Sequence, residues 1–159
     1  MIRDSATWYE AIHVLSHPNA HSAAEIRATG QTDFQLADRL CGARFTWVAY
    51  HDDMPCAFFG AYERRPQLWG LFGFGTDDWH KVWREVTLVS ARDMMRRVLD
   101  AGAVRADCLS LAENVRVHKW LRFLGATVAT EMPGAGAHGE NLIQFTWTRP
   151  DVPSTARSE

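Results

Sequence analysis

The sequence predicts a single α/β domain, and three observations carry that prediction. The chain has 159 residues, 47% of them hydrophobic, enough for one sizeable core without division into further domains. β-rich apolar runs alternate with segments of helical period instead of segregating into separate halves. Glycine, proline and aspartate mark the boundaries, and no internal repeat or domain linker interrupts the series.

Trp8 to Leu15 reads as a first strand. Ser22-Ala-Ala-Glu25 has the form of a capping box, in which a Ser and a Glu three residues later satisfy each other's backbone at a helix start. The helix it opens stops at Gly30. Thr32-Asp-Phe-Gln35 repeats the pattern, and its helix stops at Gly42. Phe45 to Tyr50 and Cys56 to Tyr62 are strands joined by the hairpin signal His51-Asp-Asp-Met-Pro55. Leu68 to Phe74 is a third apolar run of strand length. From Thr76 to Ala101, Val82, Val86, Val89, Met94, Val98 and Leu99 recur at roughly helical spacing, which reads as a short helix followed by a main one. Ala106 to Leu111 is a brief strand before a helix that opens at Asn114. Thr127 to Met132 and Leu142 to Thr148 are the last strands, joined by the glycine-rich loop Pro133 to Glu140. The domain is assigned to residues 1–149, and the Pro-, Ser- and charge-rich tail 150–159 is expected to be flexible.

Charge and composition exclude several classes of function. A formal charge of −2 and a pI near 6.4 give no general pull toward nucleic acid. No apolar run approaches the roughly 20 residues that span a membrane, and Met1-Ile-Arg-Asp-Ser-Ala6 lacks the apolar centre of a signal peptide. Cys41, Cys56 and Cys108 are odd in number and widely spaced, and read as buried structural thiols in a reducing compartment. His13, His17 and His21 recur every four residues, but Pro18 breaks any helix that would align them, so no metal site is expected. Arg92, Arg96 and Arg97 read as a solvated helix face.

The segment Asn114-Val-Arg-Val-His-Lys-Trp-Leu-Arg-Phe-Leu-Gly-Ala126 is the most informative in the chain. It resembles the second signature segment of the GCN5-related N-acetyltransferase (GNAT) family, where an Asn opens a helix that ends in Leu-Gly-Phe. Asn114, Leu124 and Gly125 match that pattern. Val117 takes the place of a small residue, Leu121 that of a frequent Tyr, and Ala126 that of the Phe. The resemblance implies a mixed central sheet with flanking helices, and the element order agrees with it across nearly the whole chain.

More narrowly, the chain resembles a phage protein family related to the internal virion protein A of short-tailed phages. The resemblance rests on Asp52-Asp-Met-Pro-Cys-Ala-Phe-Phe-Gly60, Leu71-Phe-Gly-Phe-Gly-Thr-Asp77, Val117 to Gly125, the loop Gly134 to Glu140 and Phe145-Thr-Trp147. It implies a virion or host-cytoplasm location and contacts with other virion proteins of the core or portal region. No membrane or sequence-specific nucleic-acid partner is implied, and the oligomeric state is left open.

The enzymes of the GNAT family hold acetyl-CoA by a Gln/Arg-x-x-Gly-x-Gly/Ala loop, where bare amides at a helix N-terminus cradle the pyrophosphate. Here no glycine lies between Gly75 and Gly102, and the helix opens on the bulky run Trp79-His-Lys-Val-Trp83. Gly70-Leu-Phe-Gly-Phe-Gly75, with Gln67 before it, reads instead as a twisted or bulged strand with glycines at close backbone approaches. The leading expectation is therefore an accessory protein acting through contacts, without a cofactor, with Trp69, Trp79, Trp83 and Trp120 as contact residues. The alternative is an acetyl-CoA-dependent N-acyltransferase. Its residues would be Asn114 against the pantetheine, Lys81 and Arg84 as cationic contacts, and His118, one turn before Leu121, as the proton-transfer group, and the strands before Thr76 and Leu111 would splay to admit the cofactor arm. Lys119 beside it makes a solvated His118 the ordinary reading, and Glu113 reads as a local cap or surface charge.

Overall fold

The computed structural model of the protein describes residues 1–150, so the tail expected to be flexible lies, Pro150 apart, outside the described residues. The strands are β1 (Ile2–Asp4), β2 (Phe45–His51), β3 (Met54–Arg65), β4 (Leu68–Gly75), β5 (Arg105–Leu111), β6 (Val128–Met132) and β7 (Leu142–Thr148). The helices are α1 (Trp8–Ser16), α2 (Ala20–Thr29), α3 (Asp33–Cys41), α4 (Trp79–Val89), α5 (Met95–Asp100) and α6 (Val115–Phe123). One mixed sheet forms in the order β1-β2-β3-β4-β5-β7-β6, antiparallel throughout except for the β4–β5 pair.

The region before β2 departs from the sequence reading. Trp8 to Leu15 is helix α1, because Thr7 and Glu10 form a reciprocal cap and Ala11, Val14 and Leu15 fall on one buried face at helical spacing. The first strand is Ile2–Asp4, too short to show alternation, and three helices follow it where two were expected. Ser22 and Glu25 are not a cap either. Asn19 caps α2, its Oδ1 accepting from the Ser22 N–H at 2.8 Å, and the Ser22 and Glu25 side chains are freed for another task. The Thr32–Gln35 box does cap α3, with both reciprocal bonds made.

Turn chemistry fixes the strand register. Asp52 and Asp53, with φ of 46° and 60°, make the tight left-handed turn between β2 and β3. Pro66 and Gln67, the latter at φ 71°, turn β3 into β4, and the Gln67 carbonyl accepts from the Val104 N–H at 2.8 Å just before β5. Gln67 therefore sits at the opposite end of β4 from α4. The β3–β4 pairing runs without irregularity from Gly70 to Gly75, the register shifting instead between Glu63 and Arg65 opposite the start of β4, and the expected close approaches are present: the Tyr62 ring lies against Gly70 and the Trp79 ring against Gly75.

The helix from Trp79 to Asp100 is carried through Ser90–Met94 by one π-helical turn, where two separate helices were expected. Its apolar stripe (Val82, Val86, Met94 and Val98) packs with Leu121 of α6 on one face of the sheet, against Trp47, Phe59, Trp69 and Phe145. On the other face, α1 and α3 bury Val14, Leu15, Leu36 and Leu40 against Phe58 and Phe74. No helix among the described residues is long and apolar enough to cross a membrane.

Candidate active site between β4 and β5

The two central parallel strands pair only from Leu68↔Arg105 to Gly70↔Asp107 and then part. Each keeps its outer partner: β4 stays on β3 to Gly75↔Ala57, and β5 stays on β7 to Leu111↔Leu142. Solvent exposure follows the parting. Gly73 is exposed and Leu109 is 41% exposed, although both lie in the middle of a seven-stranded sheet. A cavity of about 980 Å³ passes through the gap, lined by Tyr62 and Phe72 from one face and by Trp79, Met94 and Trp120 from the other.

Helix α2 spans the open end. The Thr76 N–H donates to the Cys56 carbonyl at 2.9 Å, so by alternation the backbone of Gly75 faces away from β3 and into the gap. There the Gly75 N–H donates to Ser22 Oγ at 2.9 Å, and the Gly75 carbonyl accepts from the Asn19 N–H at 2.8 Å. Across the gap the Ala112 N–H is taken by Asn141 beside β7, which leaves the Leu111 N–H facing β4; it donates to Glu25 Oε1 at 2.9 Å. One turn of α2 thus satisfies a backbone donor on each parted strand, which buried amides require.

Glu25 anchors a polar cluster at the end of β5. Its carboxylate also accepts from the Ser110 hydroxyl at 3.1 Å, and the Asn114 side chain lies close enough to lower its pKa. Burial pushes its carboxyl above the ordinary value of 4.5, against the downward pull of those donors and of nearby His118. Asn114 is 4% exposed, lines the cavity, and has a buried Oδ1 without a partner among the described residues. It opens α6 without capping it. Asp107, at the apex of the parting, is held through Oδ1, which accepts from Arg105 Nε at 2.8 Å and from Thr146 Oγ1 at 2.9 Å. The Cys108 thiol on the same strand is pushed up to about 12 by desolvation and by Glu25 and Asp107, so it offers no thiolate near neutral pH. Burial likewise pushes Cys56 up to about 11. Cys56 is buried, whereas Cys41 and Cys108 are half-buried.

The structure sorts the other candidates. His118 is not solvated; it is 4% exposed, with Nε2 2.9 Å from the Leu111 carbonyl and its ring against Phe145. Its helix turns it inward beside Asn114 and Glu25. Lys81 is held by Asp78 at 2.9 Å and does not line the cavity, nor does Arg84, which is exposed on α4. Trp69 is fully buried and stacks on Phe45, which excludes it as a surface contact. Trp79 and Trp120 meet edge to face, with ring centroids 6.0 Å apart, and line the cavity, as does the half-exposed Trp83. His13 near the end of α1 and His17 just past it stack on each other, and no group of three metal-ligating side chains occurs among the described residues. The arginine face is partly neutralised, Arg97 by Asp4 and Arg96 by Asp93.

Sequence reasoning missed Ser22, Glu25 and Ser110, whereas the splaying of the strands before Thr76 and Leu111, expected under the acyltransferase alternative, is present. The one available signal was the i, i+3 spacing of Ser22 and Glu25, which also places both side chains on one helix face.

A seven-stranded sheet opened between two central parallel strands, with α4 following the first, has close structural counterparts. The ribosomal-protein-S18-alanine N-acetyltransferase of Escherichia coli superposes with a TM-score of 0.68 over 98% of each chain, at 14% identity. The Salmonella typhimurium protein yncA, solved with its cofactor acetyl-CoA, gives 0.68 over 98% of each chain, at 13% identity. The aminoglycoside 6′-N-acetyltransferase of Enterococcus faecium gives 0.66 over 95% of this chain and 99% of its own, at 13% identity. The chain has the GNAT acetyltransferase fold. No protein-family profile matches the sequence, and no curated protein matches it.

Acetyl-CoA fits this GNAT fold in one half only. The parted strands leave a slot for a thioester arm, with backbone edges to pair its amides and the unpartnered Asn114 Oδ1 to accept from one of them. The start of α4 does not fit a pyrophosphate. The N–H groups of Thr76, Asp78, Trp79 and Lys81 are taken by Cys56, Thr76 and Asp78. A Cβ at Gly75 would lie 2.6 Å from the Trp79 ring, so that ring fills the space against the backbone. Asp77 and Asp78 set negative charge where phosphates would sit.

Proposed function

We propose that the chain is an N-acyltransferase that lodges an acyl thioester between β4 and β5 and passes its acyl group to an amine, with Glu25 as the general base. The observation that carries this reading is the placement of a half-buried carboxylate, its pKa raised by desolvation, at the end of a cleft that cuts through the sheet. The thioester arm and the amine approach from the two faces. The ionised Glu25 takes a proton from the amine, whose nitrogen attacks the thioester carbonyl. The C–N bond forms, the C–S bond breaks, and the departing thiolate takes its proton from water, because Leu121 stands where a hydroxyl donor would. Glu25 suits the role better than Asp107, whose carboxylate is ion-paired with Arg105 at 2.8 Å, whereas Glu25 forms no ion pair among the described residues. Free thiol released from an acyl thioester only when a primary amine is added supports the reading, and Glu25→Gln should lower that rate by about 10²–10⁴-fold. Release independent of amine, or unaffected by Glu25→Gln, contradicts it.

A second reading draws on the filled start of α4 and on the exposed Trp83 (47%) and Phe123 (77%). In it the chain acts through protein contacts, and the phage resemblance would make it a virion-associated accessory with partners in the core or portal region. An acyl thioester that leaves the protein's heat signal flat at millimolar concentration favours that role.

A further inference from the structure

The acyltransferase reading underlies a narrower inference about the donor. We propose that the cleft takes its thioester by a 4′-phosphopantetheine-type arm, ending in a single phosphate, and has no seat for the adenosine bisphosphate half of CoA. Three sets of contacts carry this.

The slot itself is intact. Gly73 and Leu109 are bare at mid-sheet, and the cavity of about 980 Å³ lies at the upper end of the roughly 300–1,000 Å³ typical of small-ligand sites. An extended arm carrying two amides can pair with the free strand edges as an added strand does. The buried Asn114 Oδ1, without a donor, lies along the same path.

The place where a nucleotide's pyrophosphate would rest is largely occupied by the chain's own contacts. Both backbone groups of Gly75 that face the gap are bound by α2, and Lys81 is bound by Asp78. Seating a pyrophosphate there would break these bonds, expel the Trp79 ring and bring its charge against Asp77.

Cationic side chains are available elsewhere on the rim. Arg116 and Lys119, both on α6, line the cavity, are exposed, and form no ion pair among the described residues. One turn of helix brings the two together on one side of the mouth, which suits one phosphate group. The exposed Glu113, just before α6, is the nearest acidic residue in sequence on that side, and it leaves the pair net cationic.

Such an arm has two sources, a free acyl-4′-phosphopantetheine or the prosthetic group of a carrier protein. The test is isothermal titration of the full chain with the desulfo forms of pantetheine, 4′-phosphopantetheine and CoA. The proposal expects phosphopantetheine and CoA to bind within about twofold of each other. Removing the phosphate should weaken binding at least tenfold, and Arg116→Ala with Lys119→Ala should narrow that gap to under twofold. Adenosine 3′,5′-bisphosphate at millimolar concentration should not compete. CoA binding more than tenfold tighter than phosphopantetheine, or competition by the bisphosphate, overturns the proposal and leaves the acyltransferase reading standing. If none of the three binds, both fall. Comparing carrier-borne with free acetyl-4′-phosphopantetheine as donor then separates the sources: a higher kcat/KM from the loaded carrier assigns the carrier, and equal values assign the free arm.

Discussion

Ser22 and Glu25, one turn apart on α2, hold the facing edges of two strands that have parted: Ser22 Oγ accepts from the Gly75 N–H of β4 and Glu25 Oε1 from the Leu111 N–H of β5, each at 2.9 Å. An opening in a sheet exposes amides that must find partners, and here one helical turn supplies both while delivering a carboxylate to the cavity. Glu25→Gln keeps an acceptor oxygen for the Leu111 N–H and removes the base. It should fold with an unchanged far-ultraviolet dichroism spectrum and lose amine-dependent thioester cleavage. Loss of the fold with loss of activity would make Glu25 a structural tie alone.

Glu25 also sets a pH dependence. Burial raises its folded-state pKa above the ordinary 4.5, so the ionised form is the disfavoured one in the fold. Its contribution to stability is fully present below about pH 4.5 and declines as pH rises through the raised value. Thermal melts should therefore place wild type level with Glu25→Gln in acid and below it in mild alkali. The transfer rate should run the other way, rising with pH as the base ionises. A flat difference in Tm across that range would contradict the burial of the charge.

At the other end of the sheet, Glu10 behaves oppositely. Burial alone would raise its pKa, but hydrogen bonds from the Tyr50 hydroxyl, the Thr7 backbone and Arg3 outweigh it and hold the carboxyl at about 2. The stabilisation is present above about 4.5 and lost as pH falls through about 2. Glu10→Gln should lower stability near neutral pH by on the order of 1–3 kcal/mol. The deficit, read from urea denaturation midpoints, should shrink as the pH is lowered toward 2.

How far the sequence revealed all this can be judged residue by residue. Gly30, Gly42, Thr32–Gln35 and the Asp52–Asp53 turn act locally, and their signals specified the right boundaries. Trp8 to Leu15 misled because its aromatic and β-branched residues outweighed the i, i+3, i+4 spacing of Ala11, Val14 and Leu15. Ser22–Glu25 misled for a different reason. A capping pattern and a same-face pair share one spacing, and only Asn19 after Pro18 reveals which applies. The parting of β4 from β5 has no local signature at all, since it arises from which strands pair over long range. The bulky start of α4 was legible, because Trp79, Asp77 and Asp78 are unfit for phosphate as residue types.

Gly60 shows what the sheet itself requires. A Cβ there would meet the Phe45 carbonyl oxygen at 2.2 Å and the Phe72 ring at 2.9 Å, and the oxygen belongs to the paired strand β2 and cannot swing aside. Gly60→Ala should therefore cost about 1–3 kcal/mol. Urea unfolding should show a lower midpoint with an unchanged slope. An unaltered midpoint would mean that β2 and β3 separate more easily than their register implies.

The most direct measurement is a backbone amide NMR titration of the full chain with desulfo-4′-phosphopantetheine. The account predicts saturable shifts centred on Gly73 and Leu109 and extending to Asn114, all of which border the open slot. Shifts confined to surfaces that do not line the cavity, or none at millimolar ligand, would contradict the claim that the parted strands hold a thioester arm.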